Sequence, residues 1–419
     1  MIFVFKLYYI LITLFLITVT IAHETLIYWN TWSEPCLEKG YNLPVENYGV
    51  VINKNKTFIG DKVSLLYEKH IGLYPFLKKE ENGTYTFVNG GLPQNVVMKD
   101  HLLKLEESIN ATIPDPLYKG LAIIDVEEWR PLYQTNWGGK TIYRDESIKL
   151  VKQKYPSLSD EDAVKLAKIN FDESAFTFLN KTLEKVKQLR PYATWGFYDY
   201  PLCLDGAKSR NWEFCFPDYN DKIVELLKHV DAIYASPYLY RVGPDYHYER
   251  KDSYVRSSLE EAYRIRDIIE RKGFGRKKIF VFQKFEIDSY IKDISDIEYY
   301  DPYMLCITYQ RPVDYKVDGI LIWSSSINMA KRCSSIQKYI EKVFGPFIRK
   351  ITQKYKRSNM HDLLYSKKQG AFDRDVIELT NCRKLVTDEN LDKWCKTGFY
   401  GPECMKWKHF NAQKKCHKC

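Results

Sequence analysis

The sequence predicts an α/β protein, a distorted TIM-like (β/α) barrel of about seven parallel strands with a small basic, cysteine-containing C-terminal segment. Three observations predict it. Short apolar runs recur at Leu26–Asn30, Val63–Tyr67, Leu121–Asp125, Thr194–Tyr198, Ala232–Ser236, Ile279–Gln283 and Gly319–Trp323. Helical patterns separate several of them, and buried strands alternating with helices favour a parallel sheet. Seven such runs in about 300 residues favour a closed or nearly closed barrel over an open sheet. An open doubly wound sheet stays an alternative, although no Gly-rich phosphate loop follows the first run.

In chain order, residues 1–22 carry Lys6, then an apolar run from Leu7, then Thr20-Ile21-Ala22. This reads as a secretory signal with a small-residue cleavage site. The run is short for a membrane anchor, and no second candidate span follows. Residues 23–348 form the expected barrel. Between the third and fourth strands an amphipathic helix is expected from Asp160 to about Arg190, opened by Ser159 with Asp162 as a capping box. A second is expected from Ser258, with Glu261 in the matching place, to just before Gly273.

The chain has 419 residues and a net charge of +9. From Pro346 to Cys419 there are 17 Lys+Arg against 8 Asp+Glu, while the remainder carries 46 of each. The whole surplus therefore sits in the last 74 residues, which attract polyanions or are merely solvated. For a secreted chain an acidic glycan is the expected partner rather than nucleic acid. Four glycosylation triplets begin at Asn55, Asn82, Asn110 and Asn180. Ten cysteines, an even number, suit an oxidising compartment.

Chemistry points to the end of the third run, Gly120-Leu-Ala-Ile-Ile-Asp-Val-Glu-Glu-Trp-Arg-Pro131. Side chains alternate along a strand, so Asp125 and Glu127 point one way and Glu128 the other. Two crowded carboxyl groups do not both ionise cheaply, so one is expected to hold its proton. That arrangement suits a general acid acting on an acetal, although solvated acids at a strand end read the same way in isolation. Tyr198, Tyr238 and Trp323 stand at or just after other strand ends, where active sites of such barrels lie. Aromatic faces suit the apolar faces of sugars.

Gly120–Pro131 followed by Asn136-Trp137 resembles the active-site segment of the animal hyaluronidase family, which includes venom, sperm and lysosomal members. Matching pieces stand in order: Tyr28-Trp29-Asn30 near Cys36, Gly72-Leu73-Tyr74-Pro75, Gly90-Gly-Leu-Pro-Gln-Asn95, Trp195-Gly-Phe-Tyr198 before Cys203, Gly319-Ile-Leu-Ile-Trp323, and Cys333 before Gly345-Pro-Phe347. The resemblance covers roughly residues 26–348. It implies a distorted barrel and an endo-acting hydrolase that cleaves β-linkages beside N-acetylhexosamine in hyaluronan, and often in chondroitin. It places Glu127 as proton donor and Asp125 as the carboxylate beside it. Tyr198 and Tyr238 would surround the substrate acetamido group, Trp323 would form the pocket wall, and Tyr74 is carried over as a further substrate-binding residue. The implied mechanism is substrate-assisted, with the acetamido oxygen as nucleophile and no cofactor or metal. A secreted monomer with no membrane anchor is expected, with the lysosome as the alternative location.

Departures from the family pattern are Phe285 and Glu286, aligned with a tyrosine at the end of the sixth strand, and Leu202. An acid there is expected to repel a polyanionic substrate. The resemblance also implies disulfides Cys36–Cys333 and Cys203–Cys215. Cys306, in an apolar stretch, reads as a buried free thiol. Residues 349–419 keep Cys382, Cys395, Cys404, Cys416 and Cys419, and Cys395 to Cys404 resembles the end of a growth-factor-like module. Cys416-His-Lys-Cys419 lacks two further ligands at metal-site spacing, so disulfides are favoured over zinc. Two other readings stay open: a silent scaffold that binds glycans, and a chitinase-like enzyme.

Overall fold

A computed structural model describes residues 24–204, 214–239, 248–290, 297–352 and 379–382. The expected signal segment, Cys395, Cys404 and most of the basic tail lie outside these residues.

Each of the seven apolar runs forms a strand: β1 Leu26–Trp29, β3 Val63–Tyr67, β6 Leu121–Asp125, β7 Thr194–Phe197, β8 Ala232–Ala235, β9 Lys278–Gln283 and β10 Gly319–Ile322. Three more were not anticipated: the two-residue β2 Val51–Ile52 and a hairpin of β4 Phe76–Lys79 with β5 Tyr85–Val88. Their patterns are too short or too polar to stand out as buried runs. Among the described residues, every ladder apart from the antiparallel hairpin is parallel. Hydrogen-bonded neighbours run β2-β1-β10-β9-β8 in one sheet and β3-β6-β7 in the other.

The two sheets meet twice. Between β7 and β8, Tyr198 bridges to Tyr234 in parallel, and the Asp231 amide donates to the Trp195 carbonyl at 2.8 Å. Gly196 permits this approach, since a Cβ there would lie 2.3 Å from the Ala232 carbonyl oxygen. Between β2 and β3 a side chain replaces the ladder. Asn53 donates from Nδ2 to the Val63 carbonyl at 2.8 Å, and its Oδ1 accepts the Val63 amide at 2.9 Å. An amide side chain carries the same donor and acceptor as a peptide group, so it can continue a sheet where the chain diverges.

Alternation along the strands separates two apolar layers. Val63, Leu65, Leu121, Ile123, Tyr234, Phe280, Phe282 and Leu321 contact one another in a cluster that contains no helical residue. Their neighbours, including Leu66, Ala122, Ile124, Phe197 and Ile322, pack with the helices in the larger cluster. β6 is therefore buried at all five positions, which explains its uninterrupted apolar run.

The long helix spans Asp160–Leu189, and the Asp162 amide donates to the Ser159 hydroxyl as the capping box requires. The helix expected from Ser258 begins ten residues earlier and spans Tyr248–Arg271. Lys251, Val255 and Ser258 lie on the same buried stripe as Leu259 and Ala262, so the inward face simply continues upstream. Ser258 donates to the Tyr254 carbonyl as a mid-helix serine rather than a cap.

Disulfides join Cys36 to Cys333 and Cys203 to Cys215. Cys306 is not a free thiol: it is bonded to Cys382. A piece of tail docks beside it, where the Thr380 amide donates to Asp314 Oδ2 at 2.9 Å and Arg311 reaches the Thr380 carbonyl. An apolar stretch looks the same in sequence whether its cysteine is free or paired with a partner 76 residues away. Of the sequon asparagines, Asn55, Asn82 and Asn110 are exposed, while Asn180 is half-buried on the long helix. Among the described residues no helix is long and apolar enough to cross a membrane.

Candidate active site

The C-terminal ends of the parallel strands bring one set of side chains together. Asp125 closes β6, and Tyr67, its register partner, closes β3. Asp125 is 5% exposed, and its Oδ1 has no hydrogen-bond partner among the described residues. Burial pushes the Asp125 carboxyl well above the usual range, and the nearby charges of Glu127, Glu68 and Asp199 push it further. Glu127 is exposed at its surface, yet the protein packed around it raises its carboxyl first and Glu68 adds to this, against the opposing effect of Lys140 and Arg130.

The segment after β6 is held rather than loose. The Glu127 amide donates to Glu68 Oε1 at 3.0 Å, and Lys140 Nζ donates to the Glu127 carbonyl. The Arg130 amide donates to Asn136 Oδ1 at 2.8 Å, and Asn136 Nδ2 returns to the Arg130 and Leu132 carbonyls. Asn136 therefore ties the turn that follows the two acids. Trp129 packs on Phe171 and Phe178 of the long helix and donates to the Pro75 carbonyl at 2.8 Å.

Tyr198, Tyr238 and Trp323 converge on the same mouth. The Tyr198 and Tyr238 ring centroids are 6.4 Å apart, and those of Tyr238 and Trp323 are 6.1 Å apart. Trp323 Nε1 donates to the Tyr67 hydroxyl at 3.1 Å, which closes an aromatic wall back to the Asp125 strand pair. Tyr74 does not join it. Its ring is 1% exposed and stacks on Trp129 at 5.3 Å, behind the segment that carries the acids.

The sixth strand's end differs from expectation. Phe285 is fully buried and stacks on Trp29, and Glu286 is fully buried as well. Glu286 is ion-paired with Arg332 at 2.6 Å, both side chains having no exposure, so it presents no free charge to a polyanion. Lys284 turns inward instead, its Nζ 4.9 Å from the Tyr238 ring centroid and 5.7 Å from that of Trp323. Burial lowers its ammonium to about 8 against the pull of Glu286, Asp288 and Glu127. Leu202 is buried, and its amide donates to Asn220 at 2.8 Å.

Sequence reasoning missed Glu68, Asp199 and Lys284. Each immediately follows a strand or strand-end residue already singled out, so the position rule that located Asp125 also covers them. Asp199 has φ 66°, accepts from the Ser236 hydroxyl, and is pushed up to about 7 by burial and by the Glu127 charge. Below about pH 4 its carboxyl is protonated in both folded and unfolded chains. As pH rises toward 7 the unfolded chain ionises first, so this group subtracts stability progressively. Asp199→Asn is therefore expected to melt like wild type at pH 4 and above it at pH 8. Parallel melting curves across that range would contradict the placement of Asp199.

Profile comparison matches residues 17–373 to the family described as hyaluronidase. The chain belongs to the hyaluronidase family. A chondroitin hydrolase of Caenorhabditis elegans is 30% identical over 333 residues, covering 78% of this chain and 70% of that protein. Hyaluronidase-1 of Mus musculus is 30% identical over 334 residues, covering 77% and 69%. Bee venom hyaluronidase, solved in complex with a hyaluronic acid tetramer, superposes with a TM-score of 0.71 at 28% identity, covering 78% of this chain and 99% of that one. The family is one of glycoside hydrolases, and this hyaluronidase-family chain is an enzyme of that kind. Among the described residues no group of three or more His, Cys, Asp or Glu side chains is arranged to hold a metal ion.

Proposed function

We propose that this hyaluronidase-family enzyme is a secreted endo-β-N-acetylhexosaminidase that cleaves hyaluronan, with retention of configuration, through the substrate's own acetamido group. One observation carries the reading: a buried carboxyl that resists ionisation, Asp125, stands two residues before Glu127 at a strand end walled by Tyr198, Tyr238 and Trp323. In this reading the two sheets form one distorted barrel, supported by the Tyr198–Tyr234 bridge and the Asn53 hydrogen bonds to Val63.

The acetamido oxygen attacks the anomeric carbon while Glu127 protonates the departing glycosidic oxygen. Water then opens the cyclic intermediate, and Glu127 takes its proton. Asp125 keeps the pair singly protonated before the first step, because a second negative charge beside Glu127 in a buried site is costly. The Tyr198 and Tyr238 hydroxyls orient the acetamido group, and Trp323 supports the sugar face. The rate advantage comes from a nucleophile already tethered to the reacting centre.

Digestion of purified hyaluronan and chondroitin side by side, with anomeric configuration followed by NMR at early times, tests this. The β-anomer is expected first, and de-N-acetylated polymer is expected to resist cleavage. Inversion, or cleavage of the stripped polymer, would sink the mechanism. A second reading, chondroitin as the preferred polymer, is favoured by the resemblance to the nematode chondroitin hydrolase. The same assay ranks the two.

A further inference from the structure

A cavity of about 590 Å³ lies against the Glu128–Arg130 segment, in the ordinary size range for small-molecule sites. Glu128 lines it and Glu127 does not, so it is separate from the aromatic mouth yet begins one residue from the proposed acid. Its other wall is the β4–β5 hairpin, which contributes Lys78, Lys79 and Tyr85.

Charge is the informative property here. Lys78, Lys79, Arg130 and Lys140 line the cavity, against the single carboxylate of Glu128. The contacts that fix two of these cations leave their charge intact. Arg130 Nη1 donates to the Thr135 carbonyl at 2.8 Å, and its guanidinium lies 5.1 Å over the Trp137 ring. Lys140 donates to the Glu127 and Glu128 carbonyls. Lys78 meets Glu80 at 3.4 Å in an exposed pair, which water and salt weaken. Burial and then the Arg130 charge lower the Lys140 ammonium, an unfavourable arrangement that a bound anion relieves. Tyr85 on the hairpin and Trp137 across from it add aromatic surface to the two walls. Cations with aromatic faces match an acidic sugar, which pairs charged groups with an apolar ring face.

We infer that this cavity is a subsite for an acidic sugar unit flanking the bond to be cleaved, its anionic group met by Lys79 and Lys140, with Lys78 on the hairpin's other face adding charge at the rim, and its ring placed against Trp137. The inference rests on the glycan-hydrolase reading for its substrate, but it concerns binding and is testable without turnover. The hairpin then selects charged chains over neutral ones and sets the direction in which the polymer leaves the mouth.

The test uses the full chain carrying Glu127→Gln, titrated with long hyaluronan, with chondroitin sulfate and with a neutral N-acetylglucosamine oligomer. Lys78→Gln with Lys79→Gln removes the charge that Lys79 brings into the cavity and the one that Lys78 holds at its rim. Lys62→Gln with Lys119→Gln removes two where the chain enters β3 and β6, at the opposite strand ends. The cavity pair is expected to weaken both polyanions about tenfold, with a shallower salt dependence, and the distant pair about twofold or less. Neutral oligomer binding stays level in both. Equal losses from the two pairs, or no loss from the cavity pair, would overturn the subsite. If the double variant melts early, Lys79→Gln alone gives the same comparison at about threefold. Loss of polyanion binding from the cavity pair in a protein whose parent never cleaves either polymer would reject the hydrolase mechanism and keep the subsite. Cleavage by the parent with indistinguishable variant pairs would do the reverse.

Discussion

Glu127→Gln is expected to lower turnover by about a hundredfold or more, the scale of a lost general acid. The amide keeps the carboxyl's shape, and the backbone contacts that hold the segment involve the Glu127 amide and carbonyl rather than its side chain. Substrate affinity is therefore expected to hold within a few-fold while kcat falls. The Glu127 carboxyl is raised by the protein packed around it and by Glu68, so in the unaltered enzyme the protonated form persists upward from acid pH. Activity then declines on the alkaline side as that proton is lost. Steady-state kinetics across pH measure both. Near-normal kcat in the variant would remove Glu127 from the proposed role.

Arg332→Met is expected to destabilise the fold by about 3–5 kcal/mol, because it leaves the Glu286 carboxylate buried without its counter-charge. The guanidinium meets Glu286 Oε1 at 2.6 Å, the Ser324 hydroxyl at 3.2 Å and the Ile327 carbonyl at 3.1 Å. It thus ties the segment after β9 to the segment after β10, the two that present Lys284 and Trp323. Adding Glu286→Gln is expected to recover much of the loss, since the unpaired charge disappears with it. Denaturant unfolding of both single variants and the double one gives the coupling directly. Equal stability of wild type and Arg332→Met would show that the pair bears no such load. Partial loss of activity in the folded fraction is expected to accompany the single variant, because Trp323 loses its support.

Much of this was legible along the chain. The seven apolar runs became strands, because a short apolar stretch bounded by polar or aromatic residues is a local signal. Ser159 with Asp162 announced a helix start by a hydrogen bond three residues long. Asp125 and Glu127 were visible as a pair because strand alternation is a property of the backbone itself. Burial first, and then the neighbouring acids, raise the Asp125 carboxyl, the direction that crowding implied.

What the sequence could not settle depends on neighbours distant in the chain. Cys306 reads as a free thiol until residues 379–382 dock beside it. Glu286 reads as an acid facing the substrate until Arg332, 46 residues on, neutralises it in the core. Tyr74, carried over as a substrate contact, stacks on Trp129, an arrangement that no local pattern announces. Asn53 has no strand pattern, yet its side chain carries the hydrogen bonds between β2 and β3. Period, caps and strand ends are set by bonds a few residues long, and these the sequence determined by itself. Which charges are paired, which rings are buried and where the sheets meet depend on side chains that only the folded chain brings within a few ångströms, and these the tertiary structure decided.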